Sequence, residues 1–156
     1  MFKRIIGSVQ DVASSDPQWL NVQDAAEVEI TSEDAAHPIE SALLPGGTSG
    51  WRATAPGSQC IRLVFTSPQT LQRIWMNFVE TQTERTQEYV LRWSPDRGQS
   101  FREIVRQQWH FSPPGTTNEI EDHHVNLPAV TMLELSITPD ISGGNGVASL
   151  VHLRLA

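Results

Sequence analysis

The stretch Glu80-Thr-Gln-Thr-Glu-Arg-Thr-Gln-Glu88 gathers three carboxylates, one guanidinium and two side-chain amides within nine residues. Planar amides, carboxylates and guanidinium groups bond vicinal hydroxyls, so such a set beside an aromatic ring suits recognition of a sugar. Arg85 is the group that would anchor a ligand, with Glu80 and Gln87 as its neighbours. The competing reading is a solvated loop whose Arg–carboxylate pair only sets its shape. Further on, Trp109-His110-Phe111 stands where a strand enters a loop, and its two rings are expected on opposite faces. One ring could then offer a stacking platform, with His110 beside it; otherwise both rings cover the edges of the fold.

Other polar clusters carry less. His123-His124 among Glu119, Glu121 and Asp122 suggests a metal site by composition alone. Adjacent side chains on an extended chain point to opposite faces, so the two imidazoles cannot easily converge on one ion. Residues 116–124 therefore read as an acidic polar connection. His37, before Pro38, reads as a loop-fixing hydrogen bonder. Asp96 and Glu103 flank a turn, whereas paired carboxylates for glycosidic chemistry must face each other across a cleft. The chain contains no Gly-x-Ser-x-Gly elbow, no phosphate loop and no His-Glu-x-x-His motif. These residues indicate a binding protein and not an enzyme.

The groups must be positioned by short strands. Tyr89, Leu91 and Trp93 alternate with Val90 and Arg92, and Phe101, Glu103 and Val105 resume the two-residue period after Ser94-Pro-Asp-Arg-Gly98. Pro presets φ, Asp bonds its own backbone and Gly accepts positive φ, so 88–106 reads as a β-hairpin. Its second strand is expected to continue through Gln107, Trp109 and Phe111 until Ser112-Pro-Pro-Gly115 stops it. Ile61, Leu63 and Phe65 line one face of another strand, ended by Ser67-Pro68. Ile74, Met76 and Phe78 line the next, with Trp75 on its far side. Leu133, Leu135 and Ile137 mark one more, and Val151, Leu153 and Leu155 the last. Earlier in the chain, 19–22 reads as a short strand, 35–44 as one loose helical turn and 51–57 as a loop. Short strands apolar on one side only, separated by Gly and Pro turns, indicate an all-β fold. The expected architecture is a jelly-roll β-sandwich of two antiparallel sheets.

At 156 residues the chain suits one domain, 1–156, with 1–27 as an N-terminal extension packing on a sandwich that spans 28–156. Eighteen acidic residues against 11 Lys and Arg give a net charge of -7, which disfavours nucleic acid and anionic membrane surfaces as partners. Cys60 is the one cysteine, so neither an internal disulfide nor a cysteine zinc site can form. Ile61 and Val64 beside it suggest a buried structural thiol. Residues 1–7 carry positive charge without the apolar run of a signal peptide, and no stretch is long enough to span a bilayer. The expected location is the cytoplasm.

Three places resemble the galactose-binding-like fold, the jelly-roll sandwich shared by discoidin (coagulation-factor type C) domains and many carbohydrate-binding modules. Thr31-Ser-Glu-Asp, His37-Pro, Ala42-Leu43 and the Gly-rich loop into Trp51 resemble that family's first strand and the loop before its Trp. Residues 56–65, with Pro68 and 71–78, resemble its paired second and third strands. Val90-Leu-Arg-Trp-Ser-Pro-Asp-Arg-Gly with Phe101 resembles its strand, turn and aromatic unit. The resemblance spans 28–156. It implies a non-enzymatic module that binds carbohydrate through loops at one end of the sandwich, with Arg85, Glu80, Gln87, Trp109 and His110 as the contacts. Trp51-Arg-Ala also resembles the N-terminal domain of the DNA single-strand-break repair scaffold and the small intraflagellar-transport subunit of this fold. That likeness implies the alternative, an intracellular protein-interaction or assembly subunit whose partner is a protein or a second copy of the chain. Calcium-bearing members place an Asp before the Trp and a Glu near the last strand; Leu44 or Pro45, and Val151 or His152, stand here instead. No cofactor is expected beyond a weak structural calcium that Thr48 and loop carbonyls could hold.

Overall fold

The computed structural model describes residues 18–156. A helical turn, α1 (Val22–Ala25), is the first element and is capped by Asn21, whose side-chain oxygen accepts from the Asp24 amide. There follow β1 (Ala26–Ile30), a second turn α2 (Glu40–Leu43), β2 (Trp51–Pro56), β3 (Gln59–Val79), β4 (Arg85–Ser94), β5 (Arg102–Phe111), β6 (Asn118–Thr138), β7 (Val147–Leu150) and β8 (His152–Leu155).

Two strands build both layers. β3 and β6 each run 21 residues, and pair antiparallel from Gln59↔Ile137 to Val64↔Met132, then again from Arg73↔His124 to Val79↔Asn118. Between these stretches the register shifts. The first half of β3 and the second half of β6 lie in a sheet ordered β1-β3-β6-β4-β5. Their other halves pair with each other and, through β3, with β8, while β2 and β7 form a small ladder continuous in sequence with β8. Phe78, late in β3, stacks on Tyr89 of β4 at 5.5 Å although their strands are not neighbours there, so the two halves face one another as layers. The interior is filled by the residues the alternation predicts: Ile61, Leu63, Phe65, Ile74, Met76, Phe78, Tyr89, Leu91, Leu133, Leu135 and Ile137 are all buried. The sandwich of two antiparallel sheets is the architecture expected from the sequence.

Several local expectations are corrected. Ser67-Pro68 does not end a strand; Pro68 sits where the β3–β6 ladder is interrupted, so its missing N–H leaves no gap in the pairing. Residues 51–56 form β2 instead of a loop, with Trp51 and Ala53 buried and Arg52 and Thr54 outward. Residues 118–124 are the opening of β6 and not a connection, and they carry acids inward and Ile120 outward. The strand expected over 19–22 is absent: 19–21 belong to no element and Val22 opens a helical turn, Val22–Ala25. Trp109 and Phe111, two positions apart on β5, share one face instead of opposing faces, because the strand period is two. Of the N-terminal extension, 1–17 lies outside the described residues; Trp19 meets the Arg73 guanidinium at 5.2 Å, and Trp75 stacks on His152 at 6.2 Å. Among the described residues no helix is long and apolar enough to cross a membrane.

Candidate functional site

Three loops meet at one end of the sandwich: 80–84, 112–117 and 139–146. Arg85, the first residue of β4, lies beneath them with its side chain fully buried. Its Nε donates to Glu80 Oε1 at 2.7 Å, and one terminal nitrogen donates to the Pro139 carbonyl at 2.8 Å and to Gln87 Oε1 at 3.3 Å. The guanidinium also lies 5.0 Å from the Phe111 ring. Glu80 Oε2 in turn accepts from the Gln82 and Thr83 amides, closing the turn into β4. Burial raises the Glu80 carboxyl, but the Arg85 bond and those two amides outweigh it and hold it below the usual carboxylate range. A side chain at Gly146 would meet Arg85 Cδ at 3.0 Å, so a larger residue there would have to displace the buried arginine by a few tenths of an ångström.

The five residues picked out by sequence therefore divide. Glu80, Arg85 and Gln87 come together, but Arg85 and Gln87 are inside and not at the surface where a ligand would reach them. The reason is strand parity: Arg85 and Gln87 share the inward face of β4 with Tyr89. Trp109 stands opposite Gln87 in the β4–β5 ladder and is half-buried on the same face. His110 points the other way, bonded to Thr86 Oγ1 at 2.8 Å and Glu84 Oε1 at 3.0 Å in the open. The rim is filled by its own side chains.

Across the interior from Gln87 and Trp109 runs a polar seam. Tyr89 Oη donates to Glu121 Oε1 at 2.8 Å and lies 2.7 Å from His123 Nε2. Glu119 and Glu121 are both buried, and His124 projects outward from the same strand. Burial, then the neighbouring Glu121 charge, push Glu119 up to about 7. Gln87 Nε2 and Trp109 Nε1 are buried without a hydrogen-bond partner among the described residues.

The concave site lies beside the rim, on the outer side of the β2–β7 ladder. It encloses about 340 Å³, within the ~300–1,000 Å³ range of small-ligand sites. Val79, the residue before Glu80, and Val151 give its apolar part, over the buried Trp51 and Leu150; His37, Thr48, Ser49, Arg52 and Ser149 supply the polar groups. Backbone bonds hold the segment 34–37 against β2: the Asp34 amide donates to the Arg52 carbonyl at 2.8 Å and the Arg52 amide to the His37 carbonyl at 3.2 Å. The Trp51 indole fixes the same segment by donating to the Ser32 carbonyl at 2.9 Å. Gly50, at φ +68, lets the loop turn into β2, where an added Cβ would lie 2.7 Å from the Leu150 carbonyl oxygen. Asp34 accepts the Ala36 amide and approaches His37 Nδ1 at 3.4 Å; these contacts, the amide first, hold its carboxyl below the usual range. A second concavity, of about 310 Å³ between α1, β1 and α2, is lined chiefly by apolar side chains such as Val28, Ile39 and Leu43.

Sequence reasoning missed this site because its polar groups come from three separated segments and only β2 brings them together. Reading 51–56 as a strand would have turned Arg52 outward beside the His37 segment; the loop reading hid it. Among the described residues no group of three or more His, Cys, Asp or Glu converges as a metal site. The loop before Trp51 is a poor match for calcium. That loop offers hydroxyls and no carboxylate, and the Arg52 guanidinium stands beside it.

No family model matches the chain, and no curated protein matches it. Solved structures do. The family 32 carbohydrate-binding module of Clostridium perfringens NanJ, in complex with galactose, superposes with a TM-score of 0.64 at 15% identity, covering 88% of this chain and 96% of that one. The family 32 module of AlyQ, in complex with 4,5-unsaturated mannuronic acid, gives 0.62 at 15% identity, over 90% and 98%. A chain of the structure of reduced XRCC1 bound to the DNA pol beta catalytic domain gives 0.60 at 13% identity, over 85% and 96%. At such identities the likeness is one of fold: the chain is a galactose-binding-like β-sandwich.

Proposed function

We propose that this galactose-binding-like sandwich is a non-catalytic carbohydrate-binding module whose sugar sits in the concavity beside the loop rim. One observation carries the reading: Arg52, His37 and the hydroxyls of Thr48, Ser49 and Ser149 border a cavity of monosaccharide scale beside the accessible side chains of Val79 and Val151. Sugars need that pairing of fixed polar groups for hydroxyls with apolar surface for C–H faces. Neighbours of this fold bound to galactose and to an unsaturated mannuronic acid support the ligand class. Arg85, Gln87 and Glu80 serve this site from below, by holding the loops. His110, and Trp109 at the strand edge, stand at the far side of the rim. A glycan array tests the proposal. The wild type should be retained on a defined subset of glycans, and Arg52→Ala should lose about tenfold or more, the worth of one charge-assisted hydrogen bond. A wild type retained on no glycan would defeat it.

A second reading, an assembly subunit, draws on Ile120, 53% exposed on the outer face of β6, and on the XRCC1 neighbour. Size exclusion with light scattering decides whether the chain self-associates. A monomer that captures no protein partner would remove this reading.

A further inference from the structure

Among the described residues, Arg52, Arg62 and Arg154 border concavities. Arg62 holds Glu134 and Glu29, and Arg154 donates to the Ala42, Leu44 and Leu153 carbonyls. Arg52 has neither an ion pair nor a side-chain hydrogen bond among the described residues, although the chain carries an excess of carboxylates. The hydroxyls of Thr48, Ser49 and Ser149 likewise make no side-chain hydrogen bond among the described residues, while His37 Nδ1 faces Asp34 Oδ2 at 3.4 Å. The concavity thus presents one guanidinium, which only donates, among hydroxyls that can follow either role. Its one nearby acid, Asp34, is already engaged by the Ala36 amide and faces His37.

A guanidinium with no partner among the described residues fits a ligand group made of acceptors. A neutral hydroxyl offers it a single oxygen and leaves half of its fork unmatched. A carboxylate only accepts, and its two oxygens match the planar fork of a guanidinium. We propose that the site selects a sugar carrying a carboxylate, with Arg52 bound to the two oxygens, the hydroxyls around it, and the ring resting on Val79 and Val151. This rests on the carbohydrate reading above. The net charge of -7 disfavours a polyanionic chain, so the ligand is a single acidic unit at a glycan terminus.

Isothermal titration with galacturonate, glucuronate, galactose, glucose and a short peptide with a free C-terminal carboxylate tests this on the full chain. The uronates should bind about tenfold or more tightly than their neutral counterparts, and Arg52→Gln should erase that preference. Among the described residues Arg52 has no side-chain bond to lose, so the variant should keep the wild-type thermal midpoint. Equal or tighter binding of the neutral sugars, lost in Arg52→Gln, would overturn the acidic-sugar assignment and leave the carbohydrate reading standing. Peptide binding without uronate binding would overturn it in favour of a protein carboxylate. No binding of any sugar would bring down both.

Discussion

Arg85 shows how one side chain can organise a whole end of the fold from beneath its surface. Its guanidinium joins the 80–84 turn through Glu80 and the 139–146 loop through the Pro139 carbonyl, all out of water. Removing one partner of a buried pair strands the other, so Arg85→Ala should lower stability by about 3–5 kcal/mol in chemical denaturation. A loss near zero would mean that the loops hold themselves. Glu119 acts in the opposite sense. Its folded value of about 7 lies above the ordinary 4.5, so between those limits the folded chain keeps a proton that the unfolded chain has released. Stability from this group is therefore present at pH 5 and falls as pH rises toward 7, and Glu119→Gln should flatten that part of the profile. A wild-type stability that climbs over the same range would contradict the buried acid seam.

At the scale of elements, register matters more than propensity. Arg62, Glu134 and Arg92 stand directly opposite one another on β3, β6 and β4, on the outer face of their sheet. Glu134 is 3% exposed and accepts from Arg62 at 2.6 Å and from Arg92 Nε at 2.9 Å, while Phe101 from the hairpin turn covers both guanidinium groups. The arginines keep 35% and 40% of their side-chain surface in water, so solvent screens part of the interaction. Glu134→Gln should cost about 2 kcal/mol, below the ~3–5 kcal/mol of a fully buried pair, read as a shift in denaturation midpoint. The same triad explains why an outward-facing strand position is almost inaccessible. The hairpin turn itself is held by Asp96, which accepts from Ser94 Oγ, the Ser100 amide and Ser100 Oγ; these bonds, those of Ser100 foremost, lower its carboxyl to about 2.

For the whole molecule, charge sets which partners are reachable. Half of its ten arginines are spent on the chain's own carboxylates: Arg62, Arg73, Arg85, Arg92 and Arg106 all sit in ion pairs. With a net charge of -7, counterion release offers little. Fluorescence anisotropy should show no DNA affinity that weakens as salt rises; such an affinity would reopen the nucleic-acid reading. The hairpin, its turn and the apolar faces of the strands were legible in the sequence because each is local: alternation of period two and turn chemistry act over a few residues. Less legible were the strand through Ser67-Pro68 and the one through 118–124. In the first, a proline hides at a ladder interruption; in the second, inward acids invert the pattern that marks a buried face.

What the amino-acid order determined by itself was the kind of fold, since alternating burial admits stacked antiparallel sheets and little else. It also listed the polar groups at the loop end. Which of them face solvent was decided only in three dimensions, by strand parity at Arg85 and Gln87 and by the pairing of β2 with β7. That pairing turns Arg52 outward beside His37, from a segment 15 positions earlier in the chain. A side chain's partners depend on long-range register, and register is a property of the folded sheet, not of the residues next along the chain.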